Sequence, residues 1–187
     1  MAGFSKEIYF DSVRASLFSG SMSQQQVVGQ NFILREWRKR YGFEGDHRKL
    51  SYMLSTTFKE TGRAMWPVTE YGSQTYLTSK EYWPYIGRGF VQLTWEENYR
   101  NMSPIVEEDL VEFPDLALSP DIAAIVMFTG MFEGTFTGER LDDYFSDTVD
   151  DPVNARKIIN GLDCAEEIAG YHAHFLAAIT EATGDDL

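Results

Sequence analysis

Two carboxylates and a short run of amide and hydroxyl side chains are the residues of this sequence best suited to chemistry. Glu60 closes an amphipathic stretch, just before Thr61-Gly62, and Glu70 follows ten residues later in a segment crowded with aromatic rings. Gln92, Thr94, Asn98 and Tyr99 then lie close together after a Gly-Arg-Gly triplet at 87–89. A general acid has to keep its proton near neutrality. A carboxylate in the last turn of a helix meets the negative end of the dipole, and burial beside Phe58, Met65 and Trp66 also disfavours its charge. A second carboxylate across a cleft can activate water, and pyranose rings stack on exposed Trp and Tyr faces. Paired carboxylates in an aromatic cleft are the arrangement for glycoside hydrolysis, and an inverting pair needs roughly 6.5–9.5 Å between carboxyls to admit the water. The plain alternatives are a solvated surface glutamate and rings that fill a small second core.

Other chemistries fit less well. His172 and His174 are two apart on a predicted helix and point to different sides, and His47 stands alone, so metal-ligand spacing is absent. Cys164 lies eight residues before His172, more than two helical turns away, and reads as a small buried residue rather than a nucleophile. No glycine-rich phosphate loop or dinucleotide fingerprint occurs. The expectation is a site with no metal and no cofactor.

Composition narrows the class further. The chain has 187 residues, of which 43% are hydrophobic, enough for one domain with a real core. Its 16 basic and 29 acidic residues give a net charge of −13, which repels a phosphate backbone or an anionic membrane. Arg35, Arg38, Lys39, Arg40, Arg48 and Lys49 form a local basic cluster, in which Arg38, Lys39 and Arg40 fall in the last turn of a predicted helix and suit its C-terminus. The single cysteine excludes an intrachain disulfide and fits a reducing compartment. Lys6, Glu7, Asp11 and Arg14 interrupt the N-terminal stretch, so no signal peptide is expected, and no apolar run approaches the ~20 residues of a membrane span.

The elements that must position these residues are mostly helices. Helices are predicted over 4–18, from Ser23 to about Tyr41 with Gln26 completing a capping box, and from Asp46 to Glu60. The third carries Leu50, Met53, Leu54, Thr57 and Phe58 on one face. Residues 63–86 are irregular and aromatic. Tyr85–Tyr99 reads as a glycine turn followed by a short strand, with Gln92 and Thr94 on one face, within a small β element at 73–95. An acidic loop at 107–114 leads to an apolar central helix starting at Ser119-Pro120. Further helices are predicted from Asp151-Pro152 to Asn160-Gly161 and from about Ala165 to Thr183. The expected organisation is one domain over 1–187, with N-terminal helices at 1–45 and a catalytic core at 46–175.

Three segments resemble a known family. Phe58-Lys59-Glu60-Thr61-Gly62 is similar to the His-Glu-Thr-Gly motif that carries the catalytic acid in glycoside hydrolase family 19, the plant-type chitinases and their phage endolysin relatives. Tyr85–Tyr99 resembles its signature Tyr-x-Gly-Arg-Gly-x-x-Gln-Leu-(Ser/Thr)-x-x-x-Asn-Tyr, and Arg156 to Gly161 resembles its Arg-x-Ile-Asn-Gly segment. The resemblance implies a mainly α, α+β lysozyme-like fold with a small β element lining a cleft, and an inverting mechanism. Glu60 would protonate the glycosidic oxygen, Glu70 would activate water and Thr94 would hold that water, with Glu81, Glu96 and Glu97 next in line as base. Gln92, Asn98, Tyr99, Asn160, Tyr85, Arg88 and Trp66 would bind the sugar. Lys59 stands where the family has His. The lack of disulfides and of a secretion signal points to the phage endolysin type, acting on peptidoglycan after release from the cytoplasm through a holin-type route, as a monomer. Chitin-type polymers, or glycan binding without catalysis by a virion-associated protein, are the alternatives.

Overall fold

Caps decide where the helices begin. In the computed structural model, which describes residues 3–184, helix α1 (Lys6–Leu17) starts at Ser5, whose hydroxyl accepts from the Ile8 amide. Residues 1–2 and 185–187 of the expected domain lie outside the described residues. Helix α2 (Gln24–Tyr41) starts with the predicted capping box: Ser23 Oγ accepts from the Gln26 amide, and Gln26 Oε1 accepts from the Ser23 amide. Helix α3 (His47–Glu60) starts at Asp46, whose carboxylate accepts from the Arg48 amide. Strand β1 (Val68–Thr69), helix α4 (Gln74–Thr78), strand β2 (Arg88–Gly89) and helix α5 (Glu96–Val106) form a small lobe. Then come a 3₁₀ turn at Pro114–Leu118, helix α6 (Pro120–Glu133), the short α7 (Leu141–Tyr144), a 3₁₀ turn at Asn154–Ile158 and α8 (Ala165–Thr183).

The main core forms where α3 packs on α8, with α1 on another side of α8. Leu50, Met53, Leu54, Thr57 and Phe58 are all buried, as their spacing requires. Ser51, Tyr52, Ser55 and Thr56 are buried too, so α3 is enclosed well beyond one face. In α1 the buried residues are Tyr9, Phe10, Val13 and Leu17; of the loosely helical apolar series Phe4, Ile8, Val13 and Leu17 in the sequence, Ile8 is exposed. In α2 the buried stripe is Gly29, Gln30, Ile33, Leu34 and Trp37, whereas the sequence pattern offers Val27, Val28, Phe32, Leu34 and Trp37, of which Val27, Val28 and Phe32 are only half-buried.

The β element is smaller than the predicted 73–95, with one strand inside that range and its partner just before it. Val68 pairs with Gly89 and Thr69 with Arg88, antiparallel, and α4 fills part of the intervening segment. Residues 90–94 form no strand. Arg88 and Leu93 exchange backbone hydrogen bonds of 3.1 and 2.8 Å across a tight turn, and Gln92 takes φ +57°. Gln92 and Thr94 therefore owe their placement to a turn, not to strand alternation. Helix α5 follows directly, with Pro104 inside it, where the sequence reading stops at Asn98-Tyr99. The predicted helix from Asp151 to Gly161 reduces to the short 3₁₀ turn, whereas α6 and α8 lie where predicted. No helix among the described residues is long and apolar enough to cross a membrane.

His172 is one of the buried polar groups of the α3–α8 interface. Its Nδ1 lies 2.7 Å from Ser51 Oγ, and its ring packs against Tyr52 and Phe145. Burial pushes its pKa down to about 4; Arg48 acts in the same direction, and Asp150 and Asp46 oppose it. In the unfolded chain the imidazole takes up its proton near 6.5. Between those values the unfolded state binds more protons, so stability drops as pH falls from about 6.5 to 4, by up to roughly 3 kcal/mol from this group. Urea unfolding of the protein and of His172→Gln at both ends of that window checks this; the variant is expected to lose that share of the slope.

The loop after Glu60 is fixed by close approach. A Cβ on Gly29 of α2 would sit 1.6 Å from the Met65 carbonyl oxygen, so only glycine lets this loop lie against the helix. Gly29→Ala is expected to cost about 1–3 kcal/mol, read by chemical denaturation, because backbone must shift to relieve the contact.

Candidate functional site

Glu60 is the last residue of α3, at the end where the helix dipole is negative. The sequence reading supplies it with apolar neighbours; the structure supplies a cation. Arg156 Nη1 donates to Glu60 Oε1 at 2.5 Å, and Arg156 Nε donates to the Asp163 carbonyl at 2.9 Å. The side chains of this pair are 4% and 16% exposed, so both ions are largely out of water. Thr61 then turns the chain, its hydroxyl accepting from the Met65 amide at 3.0 Å.

Glu60 opens onto a cavity of about 320 Å³ with polar walls. Gln92, Thr94 and Asn98 come from the 88–93 turn and the start of α5, and Asn160 comes from the segment after Arg156. The polar groups are held by backbone atoms. Gln92 Nε2 donates to the Val68 carbonyl at 3.1 Å, Thr94 Oγ1 to the Gln92 carbonyl at 2.7 Å, and Asn98 Nδ2 to the Thr94 carbonyl at 2.8 Å. A Cβ on Gly87 would meet Gln92 Oε1 at 2.8 Å, so a side chain there would displace the Gln92 amide from its place in the wall. Phe136 and Ile159 supply apolar wall, and Trp95, 49% exposed, offers a ring to a solvent-side ligand.

Of the residues predicted for the site, the cavity brings together Glu60, Gln92, Thr94, Asn98 and Asn160, and leaves five outside its wall. Arg88 and Tyr99 are buried behind it. Arg88 donates to Asp115 at 2.8 Å, to the carbonyls of Pro84 and Ile86, and to Tyr99 Oη, while Tyr99 Oη donates to the Ile86 carbonyl at 2.7 Å. Burial pushes the Tyr99 phenol up to about 12, against the opposing pull of Arg88. These two side chains brace the turn and do not face a ligand in the cavity. Tyr85 packs against Tyr99 with centroids 5.4 Å apart, and Trp66 packs edge-on against Phe32.

Glu70 sits one residue past β1, in the small lobe. Tyr82 Oη donates to its Oε1 at 2.9 Å, and the Gly87 amide donates to its Oε2 at 3.2 Å. Burial and the Glu70 carboxylate both push the Tyr82 phenol up. Lys59 turns away from the cavity to Glu167 of α8, at 2.5 Å, and that pairing raises the lysine and lowers the glutamate. Arg156, Trp95 and Phe136 are the site residues that sequence reasoning missed. The available signal for Arg156 was its position beside the apolar Ala155 and Ile158, which commits a cation to the interior and so demands a carboxylate.

Comparison with solved structures places this architecture. The fold is similar to chitinase C from Streptomyces griseus, with a TM-score of 0.56 at 17% identity, covering 99% of this chain and 72% of that one. A chitinase C point mutant gives 0.54 at 17% identity over 98% of this chain and 95% of that one. No family model and no curated protein sequence matches. The chain therefore has a mainly helical, chitinase- and lysozyme-like fold, shared without close sequence kinship.

The Arg156–Glu60 pair has a measurable consequence. Arg156→Leu leaves a largely buried carboxylate without its cation and is expected to cost about 3–5 kcal/mol. The double variant Arg156→Leu/Glu60→Leu should recover most of that loss, since neither charge is then stranded. A urea-denaturation cycle on the four proteins measures the coupling.

Proposed function

We propose that this protein is a glycosidase that cleaves β-1,4-linked glycan strands, with peptidoglycan as substrate and inversion at the anomeric carbon. The observation that carries the reading is the cavity at the end of α3. It joins one anchored carboxylate, Glu60, to the amides of Gln92, Asn98 and Asn160, the hydroxyl of Thr94 and the ring of Trp95. A neutral, hydroxyl- and acetamido-rich sugar is matched by such a wall, which offers hydrogen-bond donors and acceptors with a single ionisable group. In this reading Glu60 protonates the glycosidic oxygen, Thr94 holds the attacking water, and Glu70 acts on that water from the facing lobe. The likeness to the chitinase C fold supports a glycan substrate. Peptidoglycan is preferred to chitin because the one cysteine, Cys164, leaves the chain with no intrachain disulfide and suits synthesis in a reducing cytoplasm. The same reading has the enzyme act on the wall as a monomer after a holin-type release.

One observation favours a second reading. Glu70 does not line the cavity, and both its oxygens already accept hydrogen bonds from Tyr82 and Gly87. A cleft whose one carboxylate is already engaged by a guanidinium suits a glycan-binding protein without catalysis. Incubation with purified sacculi and with chitin oligomers separates the two. New reducing ends from sacculi are expected, lost in Glu60→Gln, whose melting temperature should fall because Arg156 loses its anion, while circular dichroism below that temperature shows the variant folded; retention without new ends establishes the binding protein, and full activity of Glu60→Gln refutes the acid assignment. Full activity of Glu70→Gln would move the base to another carboxylate.

A further inference from the structure

The basic cluster of α2 does not act as a unit. Arg40 donates to Glu36 at 2.7 Å and lies over the Phe128 ring, and Lys39 reaches the same Glu36 at 3.9 Å. Arg35 and Arg38 instead share a stripe with Val28, Asn31 and Phe32, spaced i, i+3, i+4, i+7, i+10 along the helix. That stripe faces a second cavity, of about 440 Å³, larger than the one at Glu60. Its floor is aromatic: Phe4 stacks on Phe43 with centroids 4.5 Å apart, and Phe32 lies beside them in the wall.

The charge of this cavity runs against that of the protein. Lys6, Arg35 and Arg38 line it, and no carboxylate does, in a chain whose net charge is −13. Arg35 is held at the rim by Asp121, and its guanidinium lies 4.6 Å from the Phe32 ring centre. Lys6 donates to Asn31 Oδ1 at 2.7 Å, a neutral partner, and pairs with no carboxylate among the described residues. Arg38 sits 5.9 Å from the centre of the Phe43 ring and pairs with no carboxylate among the described residues. Three cations around an aromatic floor recognise a ligand that is apolar along its body and anionic at one end.

We propose that this cavity is a second binding site, separate from the cleft at Glu60, for a free medium-chain carboxylate. The apolar chain seats on Phe4, Phe32 and Phe43, and Lys6 and Arg38 draw the carboxylate, Arg35 being engaged by Asp121. The proposal does not rest on the glycan reading. Calorimetric titration of the full chain with sodium decanoate, below its micellar concentration, tests it. Saturable one-to-one binding is expected, with none for acetate, which lacks the chain, or for decyltrimethylammonium, which has the wrong charge. Arg38→Glu, an exposed substitution, should weaken decanoate about tenfold, and Val28→Trp, which fills the apolar part, should abolish it. Circular dichroism checks that both variants fold. No saturable heat, equal binding of the cationic amphiphile, or decanoate binding unchanged in both variants would overturn the site.

Discussion

A carboxylate at the C-terminal end of a helix faces unpaired carbonyl dipoles, and its burial there depends on a cation brought from elsewhere in the chain. Arg156 is that cation. Its guanidinium is held at two points, by Glu60 and by the Asp163 carbonyl, so it ties the end of α3 to the whole 154–163 segment. Desolvating an arginine is expensive and is offset only by a partner of good geometry. The position of the segment therefore depends on Glu60, and the position of Glu60 depends on the segment. Asn160 is carried on the same segment, four residues past Arg156, with its amide bonded back to the Arg156 carbonyl. One ion pair thus sets the carboxylate and one of the amides that share its cavity.

The other wall is set by packing. Most of the buried apolar residues fall into two clusters, a large one around α3, α8 and α1, and a small one built from Leu93, Tyr99, Met102, Leu110, Ala117 and Val126. Helix α6 is apolar nearly all round because it serves both, giving Met127 and Phe128 to the first and Val126 to the second. Phe136, just beyond α6, packs against both clusters and lies so close to Gly130 that a Cβ there would overlap its ring. The cavity at Glu60 opens where the clusters meet, with Phe136 in its wall. Arg88 fixes the small lobe from within, spending its donors on two carbonyls, a phenol and Asp115. A buried cation bonded through Nε and Nη1 to four acceptors holds the 88–93 turn in one shape, and the turn in turn presents Gln92 and Thr94.

What was legible in the sequence follows from which forces are local. Ser23 with Gln26, and Asp46, announce helix starts because capping acts within one turn. The period of Leu50 to Phe58 gives α3, and Glu60 at its end follows from that. The strand reading of 90–94 failed because a tight turn between buried residues shows the same alternation of apolar and polar side chains as a strand. Val91 and Leu93 are buried, as period two predicts, but Gln92 reaches its place through a left-handed backbone. Arg88 and Tyr99 look like ligands in sequence because they are polar and lie among polar residues. Their use as internal braces depends on Ile86, Pro84 and Asp115, up to 27 positions away. The same holds for Arg156, whose partner lies 96 residues back.

The electrostatics beside Glu60 follow from where the cations go. In the resembling motif a His precedes the acid, whereas here Lys59 does, and a second cation next to the carboxylate would alter its field. The structure removes that possibility by distance and pairing. Consecutive helical residues point about 100° apart, so Lys59 leaves the cavity side and reaches Glu167 on α8, which holds it charged and neutralises its field. The cation in contact with Glu60 is thus Arg156, the one distant in sequence, and not Lys59, its neighbour. Lys59 belongs to the α3–α8 contact and not to the lining of the cavity.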